Sequence, residues 1–194
     1  MGPDMKTGFL MTVAVMVLVL VGMFLVTCTG NELCKSNSSA GFNGSFEITD
    51  SGYPVNWAFF PDPESGNKFQ VSVDETRVKD GSRSLKLVSK QNDITTGFRS
   101  RRVPVQAGKN YRISFWVQNV ECNFKVKRIV QDRTGKTNLR STIIADGLTA
   151  TDSWRKCEET LAVSGNESNV VLIFMVTGSG TFWCDKVEVM EITE

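Results

Sequence analysis

The chain has 194 residues and a formal net charge of +1, which suits one domain with a hydrophobic core and leaves little room for a second. It contains no histidine, which excludes Ser-His-Asp and Cys-His nucleophilic centres and imidazole zinc sites. Basic residues are concentrated between Arg99 and Arg140, where eleven Lys or Arg accompany two acids. On one sheet face they would attract an anionic ligand; the alternative is ordinary solvated charge.

Residues 1–28 are predicted to be an export signal. Lys6 precedes an apolar run over residues 9–26, and residues 25–28 resemble a bacterial lipobox, although Thr27 replaces the usual small residue before the cysteine. Cleavage there would leave a lipid on Cys28, whereas the uncleaved run is long enough for a signal anchor. Both alternatives tether an exported domain to a membrane, in the periplasm or at the cell surface. Residues 29–40, rich in Ser and Asn, predict a flexible linker.

Four cysteines remain once Cys28 is assigned to a lipid, and they are Cys34, Cys122, Cys157 and Cys184. An even number in an oxidising compartment predicts two disulfides, in any of three connectivities. Buried free thiols are the alternative. The sequence has no C-x-x-C pair, so the spacing does not indicate a zinc site.

Short apolar or alternating segments recur from residue 42 onward, separated by turns that contain Gly, Asn, Asp or Pro. They predict strands at 69–73, 84–89, 97–105, 108–118, 123–131, 140–144, 155–163, 170–176 and 181–192. Apolar residues at helical spacing do not persist over three turns anywhere in this part of the sequence. Residues 41–194 are therefore predicted to form an all-β domain, with two antiparallel sheets packed as a β-sandwich.

The strand at 108–118 points to a binding surface. Its apolar face carries Tyr111, Ile113, Phe115 and Val117, and its polar face carries Arg112, Ser114, Trp116 and Gln118. An indole among polar groups is typical of a platform on which a sugar ring stacks while its hydroxyls find hydrogen-bonding partners. Burial of Trp116 under a covering loop is the alternative.

The next strand is predicted to extend this surface. If Phe124 and Val126 point into the core, the polar residues between them lie on the same side as Trp116. The predicted carbohydrate-binding residues are then Arg112, Trp116, Gln118, Asn123, Lys125, Lys127, Gln131 and Arg99. A second platform is predicted in a Pro-rich loop, from Trp57 with Phe59 and Phe60 beside it. Guanidinium groups bind carboxylate and sulfate in bidentate fashion, which favours an acidic or sulfated glycan. For Trp57, packing as core under the loop is the alternative.

Five segments resemble jelly-roll carbohydrate-binding modules of the galactose-binding-like fold, the type that binds xylan and glucan. They are NGSFE at 43–47, Trp57 after a proline, DGSRSLKL at 80–87, AGKNYRISFWVQ at 107–118 and FWCDKVEV at 182–189. The resemblance implies a two-sheet jelly roll that binds polysaccharide without cleaving it. Such modules often accompany a glycoside hydrolase, and here an enzyme partner, where one exists, is expected to be encoded separately.

The same family commonly carries a structural calcium ion between the ends of its chain. Carried over by position, the resemblance implies Glu47 and Asp185 as ligands, with backbone carbonyls near Ser45 and Asp80 completing the shell. Calcium prefers six to eight oxygen ligands, which two carboxylates, carbonyls and water can supply. The alternative is a hydrogen-bonded Glu47 and Asp185 that join the chain ends.

The leading hypothesis is therefore a non-catalytic, exported and membrane-tethered protein that binds a polysaccharide or oligosaccharide. A structural or protein-interaction sandwich of a cell-surface complex is the alternative. An enzyme is not predicted, because adjacent acids such as Glu158 and Glu159 point to opposite faces of a strand. Nucleic acid is not an expected partner for an exported domain.

Overall fold

A computed structural model describes residues 42–61, 69–92, 95–147 and 151–193, leaving aside the side chains of residues 151 and 152. These ranges contain thirteen strands: β1 (Thr49–Asp50), β2 (Tyr53–Pro54), β3 (Trp57–Phe60), β4 (Phe69–Asp74), β5 (Ser84–Ser89), β6 (Thr95–Ser100), β7 (Val103–Pro104), β8 (Asn110–Val120), β9 (Asn123–Asp132), β10 (Asn138–Gly147), β11 (Thr151–Ala162), β12 (Glu167–Thr177) and β13 (Gly180–Glu191). The predicted all-β class is confirmed. Each of the nine predicted strands is present with ends within four residues, and the segment 97–105 is divided into β6 and β7.

The predicted export signal, the lipidated Cys28 and the linker lie outside the described residues, so those predictions remain predictions. Within the described ranges, no helix has the length and apolar character needed to cross a bilayer.

Two antiparallel sheets form the sandwich. Sheet I has the order β10-β9-β12-β6-β3, with β7 also paired to β12, and sheet II has the order β11-β8-β13-β5-β4. Strands β1 and β2 form a small separate pair. Consecutive strands often belong to different sheets, so the chain passes repeatedly between the two layers, as in a jelly roll.

The hydrophobic core lies between the sheets and is built from alternate residues of the strands. Phe98 of β6 and Phe174 of β12 stack with ring centroids 4.6 Å apart and an interplanar angle of 7°. Phe115 of β8 reaches across from sheet II and meets Phe174 edge-on, at 5.2 Å between centroids. In strands that alternate, such as β8 and β9, the sequence pattern thus identifies which side chains face inward.

Strands β8 and β9 follow one another in the chain but belong to different sheets. The chain leaves β8 through Glu121, whose φ of 62° lies in the left-handed region. Gly180 packs so closely against this turn that an added Cβ would lie 2.3 Å from the Val120 carbonyl oxygen. The prediction that β9 extends the polar face of β8 is therefore wrong, because the two strands turn their polar sides to opposite surfaces of the sandwich.

Trp57 lies in strand β3 rather than in a loop. Its side chain is 8% exposed and packs against Phe98 and Phe174, at 5.5 and 6.0 Å between ring centroids. The indole N–H donates to the Asn43 carbonyl at 3.0 Å. Trp57 is part of the core, so the predicted second sugar platform is wrong and the packing alternative holds.

The three described cysteines, Cys122, Cys157 and Cys184, are free thiols. Burial raises the pKa of Cys122 to about 11 and that of Cys184 well above its usual value. The predicted pair of disulfides is therefore not formed by these residues. Cys34 lies outside the described ranges.

Candidate functional site

The outer face of sheet II contains the predicted strand residues Arg112, Trp116 and Gln118. Trp116 does point away from the core, and its register neighbours are Lys156 of β11 and Asp185 of β13. The ring is half-buried, and the Lys79 ammonium lies 3.9 Å from its centroid. One side of the predicted stacking surface is thus covered by a cation from the β4–β5 connection.

The β4–β5 connection, residues 75–83, packs over this outer face. The backbone N–H groups of Lys79 and Asp80 donate to Asp185 Oδ2 at 2.7 and 2.9 Å. Arg77 lies over the neighbouring Trp183 ring, 4.4 Å from its centroid, so the second indole of this face is covered as well. These contacts link residues far apart in the sequence, and local alternation gives no signal for them.

Of the three residues predicted on β8, only Arg112 is exposed. Gln118 is 5% exposed and lies opposite Trp183 of β13. This face therefore offers a cation and a partly covered indole, and it lacks the open row of polar groups that the sequence predicted.

The outer face of sheet I carries the other predicted residues. Across its three central strands, Lys127 of β9 is opposite Ile173 of β12, and Ile173 is opposite Arg99 of β6. The next row contains Lys125, Met175 and Gly97. We call this surface the cationic face and define it by Arg99, Lys125, Lys127, Ile173, Met175 and Phe60.

Phe60 completes the second row, opposite Gly97. A Cβ added at Gly97 would lie 2.7 Å from Phe60 Cζ, so the phenyl ring rests directly over the glycine. Because the neighbouring Phe59 packs against the core, Phe60 points outward from the sandwich. This half-buried ring is the aromatic component of the cationic face. The sequence points to Phe60 as a platform residue in a loop, whereas the structure places it in strand β3 of sheet I.

The cations of this face differ in their partners. Lys125 Nζ lies 3.3 Å from an Asp146 carboxylate oxygen. The Lys127 and Arg99 side chains make no ion pair or hydrogen bond with any residue of the described ranges, and Arg99 is exposed. Two cations are thus available for an anionic ligand on either side of Ile173.

Two further predicted residues lie at the ends of β9. Gln131 donates through Nε2 to Asn138 Oδ1 at 2.8 Å, and its buried Oε1 has no partner among the described residues. Asn123 is exposed and opposite Thr177. Together with Lys125, Lys127 and Arg99 they lie on sheet I, so the predicted site is divided between two outer faces.

The four residues of the predicted calcium site lie where the ends of the domain meet, and their side chains take part in hydrogen bonds. Glu47 accepts hydrogen bonds from the Ser82 and Arg83 backbone N–H groups at 2.8 and 3.0 Å and from the Ser82 hydroxyl at 2.6 Å. Partial burial raises the pKa of Glu47, but these hydrogen bonds outweigh it and hold the pKa below its usual value. Ser45 Oγ donates to Asp80 Oδ2 at 2.9 Å.

Asp185 is fully buried, and burial raises its pKa to about 6 despite three backbone N–H donors. These donors belong to Lys79, Asp80 and Lys186. Within the described ranges, no three His, Cys, Asp or Glu side chains form a group suited to a metal ion. Because Glu47 and Asp185 each accept hydrogen bonds from backbone N–H groups of the β4–β5 connection, their side chains do not fit a shared calcium shell.

The described geometry defines a class of protein: a two-sheet antiparallel sandwich with an aromatic and cationic outer face. A family model described as "Carbohydrate binding domain" matches residues 38–181. The chain belongs to this family of carbohydrate-binding domains. No curated protein matches the chain significantly.

Solved structures share the fold at low sequence identity. The enzymatically active domain of bacteriophage CBA120 tailspike protein 4 has a TM-score of 0.60 and 17% identity, over 80% of this chain and 21% of that one, so this chain spans about a fifth of its length. The CBM22-1 xylan-binding domain of Paenibacillus barcinonensis Xyn10C has a TM-score of 0.53 and 16% identity, covering 78% of this chain and 93% of that one. TmCBM61, solved with β-1,4-galactotriose, has a TM-score of 0.55 and 17% identity, over 77% and 96% of the two chains.

Proposed function

We propose that this protein is an exported, membrane-tethered carbohydrate-binding protein that holds an acidic polysaccharide on the cationic face without cleaving it. Its family and the folds of the neighbouring structures support non-catalytic carbohydrate binding. The observation that carries the choice of face is the row Lys127, Ile173 and Arg99, in which two cations without described partners flank an apolar residue.

The spacing of this row suits a glycan that crosses the strands. Neighbouring strands lie about 4.8 Å apart, so the backbones of Lys127 and Arg99 are separated by roughly 9.5 Å. A polysaccharide placed perpendicular to the strands would bring carboxylates or sulfates on separate sugar units to the two cations. Its apolar C–H groups would rest on Ile173 and Met175.

Phe60 supplies the aromatic contact. Its ring lies over Gly97, one row from Arg99, and presents a flat apolar surface beside a guanidinium group. Sugar rings pack their C–H faces on such surfaces, while charged side chains fix the orientation through hydrogen bonds. The combination favours a uronate-containing or sulfated glycan over a neutral one.

Export and tethering rest on the leader sequence. The apolar run followed by Cys28 supports either a lipid anchor or a signal anchor, and the Ser-rich linker would place the sandwich away from the membrane surface. A separately encoded glycoside hydrolase would act on the polysaccharide that this protein retains.

Affinity electrophoresis of the full-length protein in detergent tests the proposal, with polygalacturonate as the acidic probe and dextran as the neutral one. Polygalacturonate is expected to retard the wild type, and Arg99→Ala/Lys127→Ala is expected to abolish the retardation. Arg112→Ala/Lys156→Ala is the matched control, because it removes the same charge from the outer face of sheet II. Equal loss in both double variants, or no retardation of the wild type, would overturn the proposal.

Protein interaction is a second candidate because Ile143 of β10, next to Lys127 in the same row, is 49% exposed. A large exposed apolar side chain beside cations is also typical of a protein contact surface. A wild type that no polysaccharide retards, together with a change of oligomeric state in Ile143→Asp, would favour this function.

A further inference from the structure

We infer that the ammonium group of Lys186 joins the two ends of the domain in place of a divalent cation, so that the fold does not depend on calcium. This inference is independent of the proposed function, because the residues involved lie away from the cationic face. It concerns five residues that we call the terminal junction, namely Ser45, Glu47, Asp80, Asp185 and Lys186.

The carboxylates of the terminal junction already have donors. Both oxygens of Glu47 accept from Ser82 or Arg83. Asp185 Oδ2 accepts two backbone N–H groups, and its Oδ1 accepts the Lys186 N–H at 2.6 Å. A calcium ion needs six to eight oxygens at about 2.3–2.6 Å, and backbone N–H groups that point at these oxygens occupy the positions it would take.

Lys186 is placed by a break in strand β13. The register with β8 shifts between Asp185 and Glu188, and Lys186 has a φ of 49°, a conformation that Gly, Asn and Asp adopt more readily than Lys. The irregularity turns Val187 into the core, where its N–H donates to the Gly44 carbonyl at 2.9 Å. The Lys186 side chain is thereby directed to the point where β13 meets the NGSFE segment at 43–47.

The Lys186 ammonium lies 3.1 Å from Asp80 Oδ1, and the other oxygen of the same carboxylate accepts from Ser45. Asp80 also donates its backbone N–H to Asp185. The Lys186 ammonium pairs with Asp80, and the hydrogen bonds of Asp80 to Ser45 and Asp185 complete a link between the segment 43–47, the β4–β5 connection and strand β13. This is the linkage that a calcium ion between the chain ends would make.

Thermal unfolding of the full-length protein in detergent tests the inference. The wild-type Tm is expected to be the same in EGTA and in excess CaCl₂, and isothermal titration of EGTA-treated protein with CaCl₂ should show no binding heat. Lys186→Met, which keeps most of the aliphatic stem, should lower Tm by roughly 2–4 °C, equally with and without calcium. Lys186→Arg keeps the charge and should remain close to the wild type.

Lys156→Met is the matched control, because Lys156 forms an ion pair with Glu158 at comparable exposure on the surface of sheet II. It should change Tm by less than half as much as Lys186→Met. A wild-type Tm that falls in EGTA and recovers with CaCl₂, or a stoichiometric calcium-binding isotherm, would overturn the inference. Polygalacturonate retardation of Lys186→Met should equal that of the wild type, which separates this result from a failure of the proposed function.

Discussion

The Lys79 ammonium lies 3.9 Å from the centroid of the Trp116 ring, and this contact decides how the outer face of sheet II can be used. Arg77 covers Trp183 in the same way, at 4.4 Å. Both cations come from the β4–β5 connection, which is anchored through Asp185. The indole identified from the sequence therefore takes part in an internal cation–π contact, whereas the cationic face on the other sheet has cations without described partners.

Lys79→Ala should uncover the Trp116 ring. Exposed cation–π contacts contribute about 0.5–1 kcal/mol, so we expect a loss of that size in the free energy of unfolding. Acrylamide quenching of tryptophan fluorescence should increase, and it should not increase when Lys79→Ala is made in a Trp116→Phe background. Lys136→Ala, an exposed lysine in the turn after β9, is the control. Unchanged quenching in Lys79→Ala would show that the contact does not persist in solution.

Gly97→Ala should destabilise the protein and disturb the cationic face. The added Cβ would lie 2.0 Å from the Phe174 carbonyl oxygen and 2.7 Å from Phe60 Cζ. The first distance requires backbone movement, so we expect a loss of about 1–3 kcal/mol in urea unfolding, as for other overpacked sites. Ala58→Gly, at an exposed position opposite Arg99, should cost about 1 kcal/mol or less.

Periodicity in the sequence was sufficient for the strands and the core, but it was insufficient for the site. Residues such as Phe115 and Phe124 alternate with polar neighbours, which identifies the inward side of their strands whichever sheet the strand joins. The same alternation cannot show that β8 and β9 separate into two layers, because that depends on the turn at Glu121 and its packing against Gly180.

Two other differences have local causes. Strand β3 contains only four residues between turns. This is too few for a periodic pattern, so the sequence predicts a loop for Trp57 and Phe60. The Lys79 contact with Trp116 joins residues on different elements, and a single sequence contains no record of such pairs. Turn residues and period-two patterns therefore predict the architecture of this sandwich. The accessibility of each outer face to a ligand depends on tertiary contacts, which these patterns do not show.

Asp74 should make the stability of the protein depend on pH in the acid range. Partial burial raises the pKa of Asp74, but hydrogen bonds from Thr76, the Trp183 indole N–H and the Arg77 backbone N–H outweigh it and hold the pKa well below its usual value. A carboxyl whose pKa is lower in the folded state stabilises that state above its unfolded pKa, about 3.9, and loses this contribution as the pH falls toward the folded pKa.

Asp74→Asn should therefore be less stable than the wild type at neutral pH, and the difference should shrink as the pH falls below about 3.9. Urea unfolding at a series of pH values measures both chains. Asp146→Asn is the control, because Asp146 is exposed and pairs at the surface with Lys125, which is its one ion-pair partner among the described residues. A difference between Asp74→Asn and the wild type that stays constant down to the lowest pH would contradict the assignment.

Arg128 is a guanidinium within the sandwich, 5% exposed, and its Nη1 lies 2.7 Å from Glu159 Oε1. The Arg128 Nε and the Glu159 Oε2 have no hydrogen-bond partner among the described residues. Glu159→Gln leaves the buried cation without its counter-charge, so we expect a loss of about 1–3 kcal/mol. Glu158→Gln, one residue earlier and paired with Lys156 at the surface, should change stability much less than Glu159→Gln does.

Arg128→Met/Glu159→Gln tests the origin of that loss. Replacing a buried charge by an apolar side chain of similar length removes the desolvation penalty, so the double variant should recover part of the stability that Glu159→Gln loses. Chemical unfolding of Arg128→Met, Glu159→Gln and the double variant in parallel gives the coupling between the two positions. A double variant whose loss equals the sum of the single losses would show that the two side chains act independently.

Ionic strength should separate charge recognition from stacking on the cationic face. Raising the ionic strength from 0.01 to 0.1 M shortens the Debye length from about 30 to about 10 Å, which weakens the attraction of the exposed Arg99 and the half-buried Lys127 for a polyanion. Polygalacturonate retardation of the wild type should therefore fall steeply over this range. Phe60→Ala should weaken retardation at every ionic strength without changing its salt dependence, because the ring contributes apolar contact rather than charge. A wild-type retardation that is insensitive to salt would mean that neither cation meets an anionic group of the glycan.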